Sequence, residues 1–236
     1  MTMPDPIGGP PQFESAGAAE TSASDGMLGP VAHDPSVVQS LRGHIRRSDS
    51  QRPRGTLIDP ERIIALTRRW LEKAVIGLDL CPFAAGPYRD NRVRFVVSEQ
   101  RTASGLAADL RSELLDLQAA DPRRRETTLI VHPWVLTDFI EYNDFLEVCD
   151  ATVRELGLEG ELQVASFHPR YRFADTQPDD IANYTNRSPF PMLHLLREAS
   201  VERAVGAAGD TDEIYRRNIR TLRELGRPGW LRLWQD

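Results

Sequence analysis

Two histidines follow apolar segments, and each is followed by a proline. His132-Pro133 comes after TTLIV, and His168-Pro169 comes after LQVASF. If both segments are parallel strands, both histidines lie at the carboxyl edge of the sheet, where open α/β sheets bind ligands. We expect His168 to be a general acid or base, because imidazole titrates near neutral pH. The alternative is that each histidine only caps a strand.

The segment after His168 is rich in groups that recognise anions. Arg170 and Arg187 carry planar guanidinium groups that match a carboxylate or a phosphate. Asn183 and Asn186 add neutral donors, so these four residues are candidate substrate-binding residues. The alternative is that the arginines form internal ion pairs with the carboxylates of Asp175, Asp179 and Asp180.

A helix through Leu193 to Arg197, capped by Ser188, is predicted after this segment. A helix N-terminus beside Arg187 would form an anion site. His194 and Arg197 are three residues apart and would share one helical face, so both are candidate binding residues. The other interpretation of His194 is a buried structural histidine, because it lies in the apolar run MLHLL.

The chain has two cysteines. Cys81 is a candidate nucleophile, with a small core residue as the alternative, and Cys149 is predicted to be a core residue. No local spacing of metal ligands is present, so no metal site is predicted; a metal-dependent enzyme would need His168, His194 and Cys81 from distant segments. There is no GxGxxG, Walker A or GxSxG motif, which leaves the cofactor unknown.

The elements that must position these residues alternate between helix and strand. Asp59-Pro60-Glu61 is typical of a helix start. Three strands are predicted at 93–97, 127–133 and 162–169, and further helices over 103–119, near 139–156 and at the C-terminus. This order predicts an α/β fold with a sheet of three or slightly more strands, mainly parallel, flanked by helices.

The first 56 residues differ in composition from the rest. Proline, glycine, serine and alanine dominate them, which predicts a disordered tail before a single α/β domain over 57–236. The net charge of −6 argues against a broadly basic nucleic-acid-binding surface. We see no membrane-spanning run and no secretory signal, so the expected location is the cytoplasm.

Three segments are distinctive: LDLCPFA at 78–84, ASFHPRYRFA at 165–174 and ANYTNRSPFPMLHLLREASVERAV at 182–205. Together they resemble a bacterial family known only as a domain of unknown function (number 1415). The resemblance spans about Asp59 to Gly226. It implies that the characteristic residues of the family include Cys81, His168, Asn183, Asn186, Arg187, His194 and Arg197, and it implies no activity.

Two functions are compatible with these residues. The first is a hydrolase or transferase that acts on an anionic small molecule, with Cys81 and His168 as catalytic groups and the arginines holding the anion. The second is a binding module that uses the same pocket for a phosphorylated or carboxylated ligand, or a peptide, without catalysis. The oligomeric state and the role of the tail are not predicted.

Overall fold

The computed structural model describes residues 59–174, 176–208 and 211–235. The predicted disordered tail at 1–56 lies outside these residues. The first helix, α1 (Pro60–Trp70), begins as the sequence predicts: the Asp59 side chain accepts a hydrogen bond from the Glu61 backbone N–H, and proline occupies the first turn. It continues as a π-helical segment over Leu71–Ile76.

Strands and helices then alternate along the chain. The strands are β1 (Val93–Val97), β2 (Thr127–Val131), β3 (Leu162–Phe167) and β4 (Met192–Arg197). The helices after α1 are α2 (Ala85–Arg89), α3 (Ala103–Ala119), α4 (Phe139–Glu155), α5 (Glu198–Ala208) and α6 (Thr211–Arg232). A 3₁₀ helix covers Ile181–Thr185, and Gly226, with a φ of 61°, interrupts α6.

The four strands form a mixed sheet in the order β1-β2-β4-β3. β1 and β2 are parallel, whereas β4 is antiparallel to both of its neighbours. β1, β2 and β3 therefore run in one direction and β4 in the other. The α/β fold is confirmed, but the expectation of a mainly parallel sheet is corrected to a mixed one.

The predicted helix through Leu193–Arg197 is wrong, because this segment forms β4. The run MLHLLR is apolar at four of its six positions, and the exceptions His194 and Arg197 are three residues apart. It therefore contains neither the alternation of a half-buried strand nor enough length to show a helical period. β4 lies between two other strands, and its side chains are covered on both faces. A central strand of this kind has the same pattern as a short buried helix.

Helices cover both faces of the sheet. On the first face, α1 and α6 pack with Leu129, Val131 and Met192. On the second face, α3 and α4 pack with Ile130, Leu193 and Leu195. Alternate residues of β2 and β4 therefore enter different cores, which determines the face on which each functional side chain lies. Among the helices of the described residues, none is long and apolar enough to cross a bilayer.

Candidate functional site

His132 and His168 lie at the same edge of the sheet. Each directly follows a strand, and β2 and β3 run in the same direction because both are antiparallel to β4. Both imidazoles pack against Tyr142 of α4, with ring centroids 5.7 Å and 5.0 Å from it. The structure thus brings the two histidines together on the second face, at the carboxyl edge of β2 and β3.

The environment of these two rings holds them in the neutral form. Both residues are fully buried, and burial lowers the pKa of each to about 4. Nδ1 of His132 lies 3.0 Å from the Val135 carbonyl and must donate to it, whereas Nδ1 of His168 accepts from the Arg170 backbone N–H. The Nε2 atoms of both are buried and have no hydrogen-bond partner among the described residues. This setting does not favour a group that exchanges protons near pH 7.

Cys81 does not join His168. Its side chain packs into the core of the first face, while His168 packs among the rings of Phe139 and Tyr142 on the second. The sheet therefore separates the predicted nucleophile from the predicted base. Burial also raises the pKa of the Cys81 thiol to about 12, which disfavours the reactive thiolate.

The side chains of Asn183 and Asn186, in the loop after β3, form hydrogen bonds with the backbone of the loop and of β3. Asn183 accepts from the Phe173 backbone N–H at 3.0 Å and donates to the Gln177 carbonyl at 2.8 Å. Asn186 donates to the carbonyl of Ser166 at 3.1 Å, which ties the loop to β3. These bonds replace a regular backbone pattern in a segment with little secondary structure.

The arginines predicted to bind the substrate anion have other partners. Arg170 donates to the Thr137 carbonyl and forms a 3.1 Å ion pair with Asp138. Arg187 donates to the carbonyls of Tyr171 and Pro178, and its guanidinium lies 4.4 Å from the ring centroid of Tyr184. Among the carboxylates of the described residues, none forms an ion pair with Arg187.

The residues that follow Arg187 do not form a helix, so the predicted anion site at a helix N-terminus is not formed. The Ser188 hydroxyl donates to the Phe190 carbonyl, two residues ahead, and the chain then enters β4. Arg197 lies at the end of β4 rather than on a helix. Its guanidinium donates to the carbonyls of Leu117 and Ala120 at 2.6 and 2.8 Å, at the C-terminus of α3.

A cavity of about 340 Å³ lies on the first face, at the amino edge of β1 and β2. Its walls come from the segment before and within α2, from the strands and from α5. The apolar lining includes Leu71, Phe83, Ala84, Leu129, Leu196, Val201 and Ala204. Two of the segments that carry the family resemblance, 78–84 and 182–205, therefore meet at this cavity.

One end of the cavity is polar. Glu126, which is 8% exposed, accepts from Arg92 at 2.7 Å and from the hydroxyl of Ser200. Arg203 donates to the same Ser200 oxygen at 2.8 Å and is itself exposed. Within the described ranges, no carboxylate forms an ion pair with Arg203, so its charge is available to a ligand.

The deepest polar group of the lining is His194. It lies opposite Leu129 in the register, two residues further into the sheet than Thr127. The Thr127 hydroxyl is 2.6 Å from the Leu195 carbonyl and 2.6 Å from Nε2 of His194. A carbonyl oxygen can only accept, so the hydroxyl donates to Leu195 and accepts from the imidazole N–H.

The sequence analysis identified His194 and Arg197, which both line this cavity, but missed the other lining residues. Arg203, Ser200 and Ala204 lie within the longest quoted segment, yet their spacing only becomes informative once α5 is known to start at Glu198. Glu126 and Thr127 precede and begin an apolar strand, and nothing in their local pattern distinguishes them from other strand residues. The tertiary contact with α5 is the signal that finds them.

No group of three or more histidine, cysteine, aspartate or glutamate side chains is arranged to hold a metal ion in the part of the chain that the structure describes.

Comparisons with curated proteins and with solved structures found no match. A family model matches residues 62–232, which is more than two thirds of the chain, and its description is "Protein of unknown function (DUF1415)". The family expected from the three quoted segments is confirmed, and the chain belongs to the DUF1415 family.

Proposed function

We propose that this protein binds a small amphipathic anion, an aromatic or alkyl carboxylate, in the cavity on the first face. The single observation that carries the proposal is the composition of the cavity: an apolar body of about 340 Å³ with Arg203 and Arg92 at one end. Cavities of this size and kind hold small molecules, with a few polar groups that orient them.

The charge at the polar end supports an anionic ligand. Arg92 already interacts with Glu126 and with Asp90, at 2.7 and 3.3 Å. Arg203 contributes a second positive charge that is held by Ser200 alone among the described residues. A carboxylate beside Arg203 would form an ion pair at the mouth, while its apolar body fills the space between Phe83 and Leu196.

The hydrolase or transferase interpretation receives less support. It requires Cys81 and His168 at one reacting centre, and these side chains pack on opposite faces of the sheet. The hydroxyl closest to an imidazole in the cavity belongs to Thr127, and its proton is donated to the Leu195 carbonyl. A nucleophile needs that proton to be removed by a base. We therefore favour binding without turnover.

Calorimetric titration with 3-phenylpropanoate tests the proposal. Wild-type protein is expected to bind one molecule per chain. Ala204→Phe, which places a ring in the lining of the cavity, is expected to weaken binding at least about tenfold by occupying the space of the ligand. Ala199→Phe is the matched control, since Ala199 is exposed on the same helix and does not line the cavity.

A second variant tests the position of the carboxylate. Arg203→Gln removes the charge at the mouth and is expected to weaken 3-phenylpropanoate about two- to fivefold, as expected for an exposed ion pair. The neutral alcohol 3-phenylpropanol should bind both proteins equally. No binding of 3-phenylpropanoate to wild type, or equal binding to Ala204→Phe and Ala199→Phe, would refute the cavity as a binding site for this class.

A further inference from the structure

The hydrogen bonds around His194 determine which ring nitrogen faces a ligand. Nε2 carries the proton and donates it to Thr127, because the Thr127 hydroxyl is already committed to the Leu195 carbonyl. Burial lowers the pKa of His194 to about 4, so the imidazole is neutral at pH 7. A neutral imidazole with a protonated Nε2 has a lone pair on Nδ1, which accepts a hydrogen bond.

Nδ1 of His194 is unused within the protein. It has no hydrogen-bond partner among residues 59–174, 176–208 and 211–235. The Nε2 atoms of His132 and His168 also lack a partner but are fully enclosed, whereas Nδ1 of His194 is not fully enclosed. Since His194 lines the cavity, a molecule inside it lies within reach of this acceptor.

The backbone of His194 lies deeper in the sheet than the charged end. His194 pairs with Leu129 across the strands, two residues beyond Thr127 and three beyond Glu126. At about 3.3 Å per residue, its backbone lies about 7 Å beyond that of Thr127 along β2, and its imidazole reaches back to within 2.6 Å of the Thr127 hydroxyl. A ligand with its carboxylate near Arg203 would therefore present its apolar body, and not the carboxylate, to the imidazole of His194.

We infer that the ligand carries a hydroxyl or N–H donor on its apolar body and that Nδ1 of His194 accepts the hydrogen bond from it. This inference rests on the proposed function, because it assigns the substrate class of the same cavity: hydroxylated aromatic or alkyl carboxylates rather than plain ones. A donor group selects such ligands because an apolar analogue would cover Nδ1 of His194 and leave it without a hydrogen-bond partner.

Two matched probes test the inference. 3-(4-Hydroxyphenyl)propanoate and 3-(4-methylphenyl)propanoate share the carboxylate and the ring and differ in one group of similar size. Wild type is expected to bind the hydroxyl compound about tenfold more tightly, the effect of one buried hydrogen bond. Without an acceptor in the cavity the order should reverse, because the methyl group is the more apolar of the two.

Variants of His194 assign the preference to its ring. His194→Leu is expected to bind the methyl compound more tightly than the hydroxyl compound. His194→Gln keeps one amide N–H for Thr127 and an oxygen that can accept, so it should retain a preference for the hydroxyl compound of several-fold. Far-UV circular dichroism of both variants checks that the fold is retained.

The outcomes separate this inference from the proposed function. If both probes bind wild type equally and Ala204→Phe weakens both, the cavity binds carboxylates but the role of His194 is refuted. If neither probe binds wild type, both the proposed function and this inference are overturned. Should the hydroxyl preference persist in His194→Leu, the donor is recognised by another group and the assignment to His194 is wrong.

Discussion

The Tyr142 hydroxyl donates a hydrogen bond to the Met192 carbonyl at 2.8 Å and thereby links α4 to β4. The same oxygen accepts from the Phe167 backbone N–H at 3.0 Å, at the end of β3. One fully buried side chain thus satisfies two backbone groups where β3 and β4 meet. It also supplies the ring against which His132 and His168 pack.

Replacing Tyr142 with phenylalanine is expected to lower the free energy of unfolding by about 1–3 kcal/mol, because it leaves a buried carbonyl and a partly buried N–H without this partner. Urea denaturation at pH 7 measures the change. Tyr215→Phe is the control: Tyr215 is 42% exposed, and the loss of its hydroxyl should cost less than about 0.5 kcal/mol. Equal effects of the two substitutions would show that the Tyr142 hydroxyl does not stabilise the strand junction.

The stability of the protein should fall as the pH drops from about 6.5 to about 4. His132, His168 and His194 each have a folded pKa of about 4 against an ordinary value of 6.5. In this range the unfolded chain binds protons that the folded protein excludes, so acid favours unfolding. Each histidine contributes up to about 1.4 kcal/mol per pH unit.

Urea denaturation at pH 7, 6, 5 and 4.5 gives this slope directly. His194→Gln removes one of the three groups and should therefore lose less stability per pH unit than wild type. An identical slope for the two proteins would mean that His194 is protonated equally in the folded and unfolded states.

Cys81 and Cys149 should resist alkylation in the folded protein. Burial raises the pKa of Cys81 from 9.0 to about 12, so at pH 8 its thiolate is about a thousandfold rarer than at the ordinary pKa. Burial also raises the pKa of the Cys149 thiol. Iodoacetamide at pH 8, followed by peptide mass mapping with and without urea, should label both residues only after unfolding.

This measurement also separates the two interpretations of Cys81 that the sequence leaves open. A catalytic nucleophile would react quickly in the native state, and selective native labelling of Cys81 over Cys149 would restore the enzyme hypothesis. Labelling that follows global unfolding would assign Cys81 to the core of the first face.

Arg197→Ala should destabilise the protein by about 1–3 kcal/mol. The guanidinium of Arg197 satisfies the Leu117 and Ala120 carbonyls at the end of α3, and alanine offers them no donor. Thermal denaturation compares it with Arg203→Ala, an exposed arginine on α5 whose loss should change stability by less than about 0.5 kcal/mol. A stable Arg197→Ala protein would show that water replaces the guanidinium at the helix end.

Local patterns in the sequence were sufficient for the elements whose signals are local. The Asp59-Pro60 start of α1, the bounds of β1 and α3, and the alternation of helices with strands all follow from caps, periodicity and length. The position of His132 and His168 at one edge also follows, since it needs only two strands that run in the same direction.

Only the tertiary structure decided that the segment 192–197 forms a strand between β2 and β3, and what surrounds each candidate residue. MLHLLR is apolar at four of its six positions, and its insertion between β2 and β3 depends on partners that are distant along the chain. That insertion puts His194 beside Thr127 and brings the guanidinium of Arg197 to the end of α3. Cys81, in the loop before α2, packs into the core of the first face, whereas His168, directly after β3, packs among the rings of the second face. Residue types establish which groups can do chemistry, but their environment is set by long-range packing, which a sequence pattern does not encode.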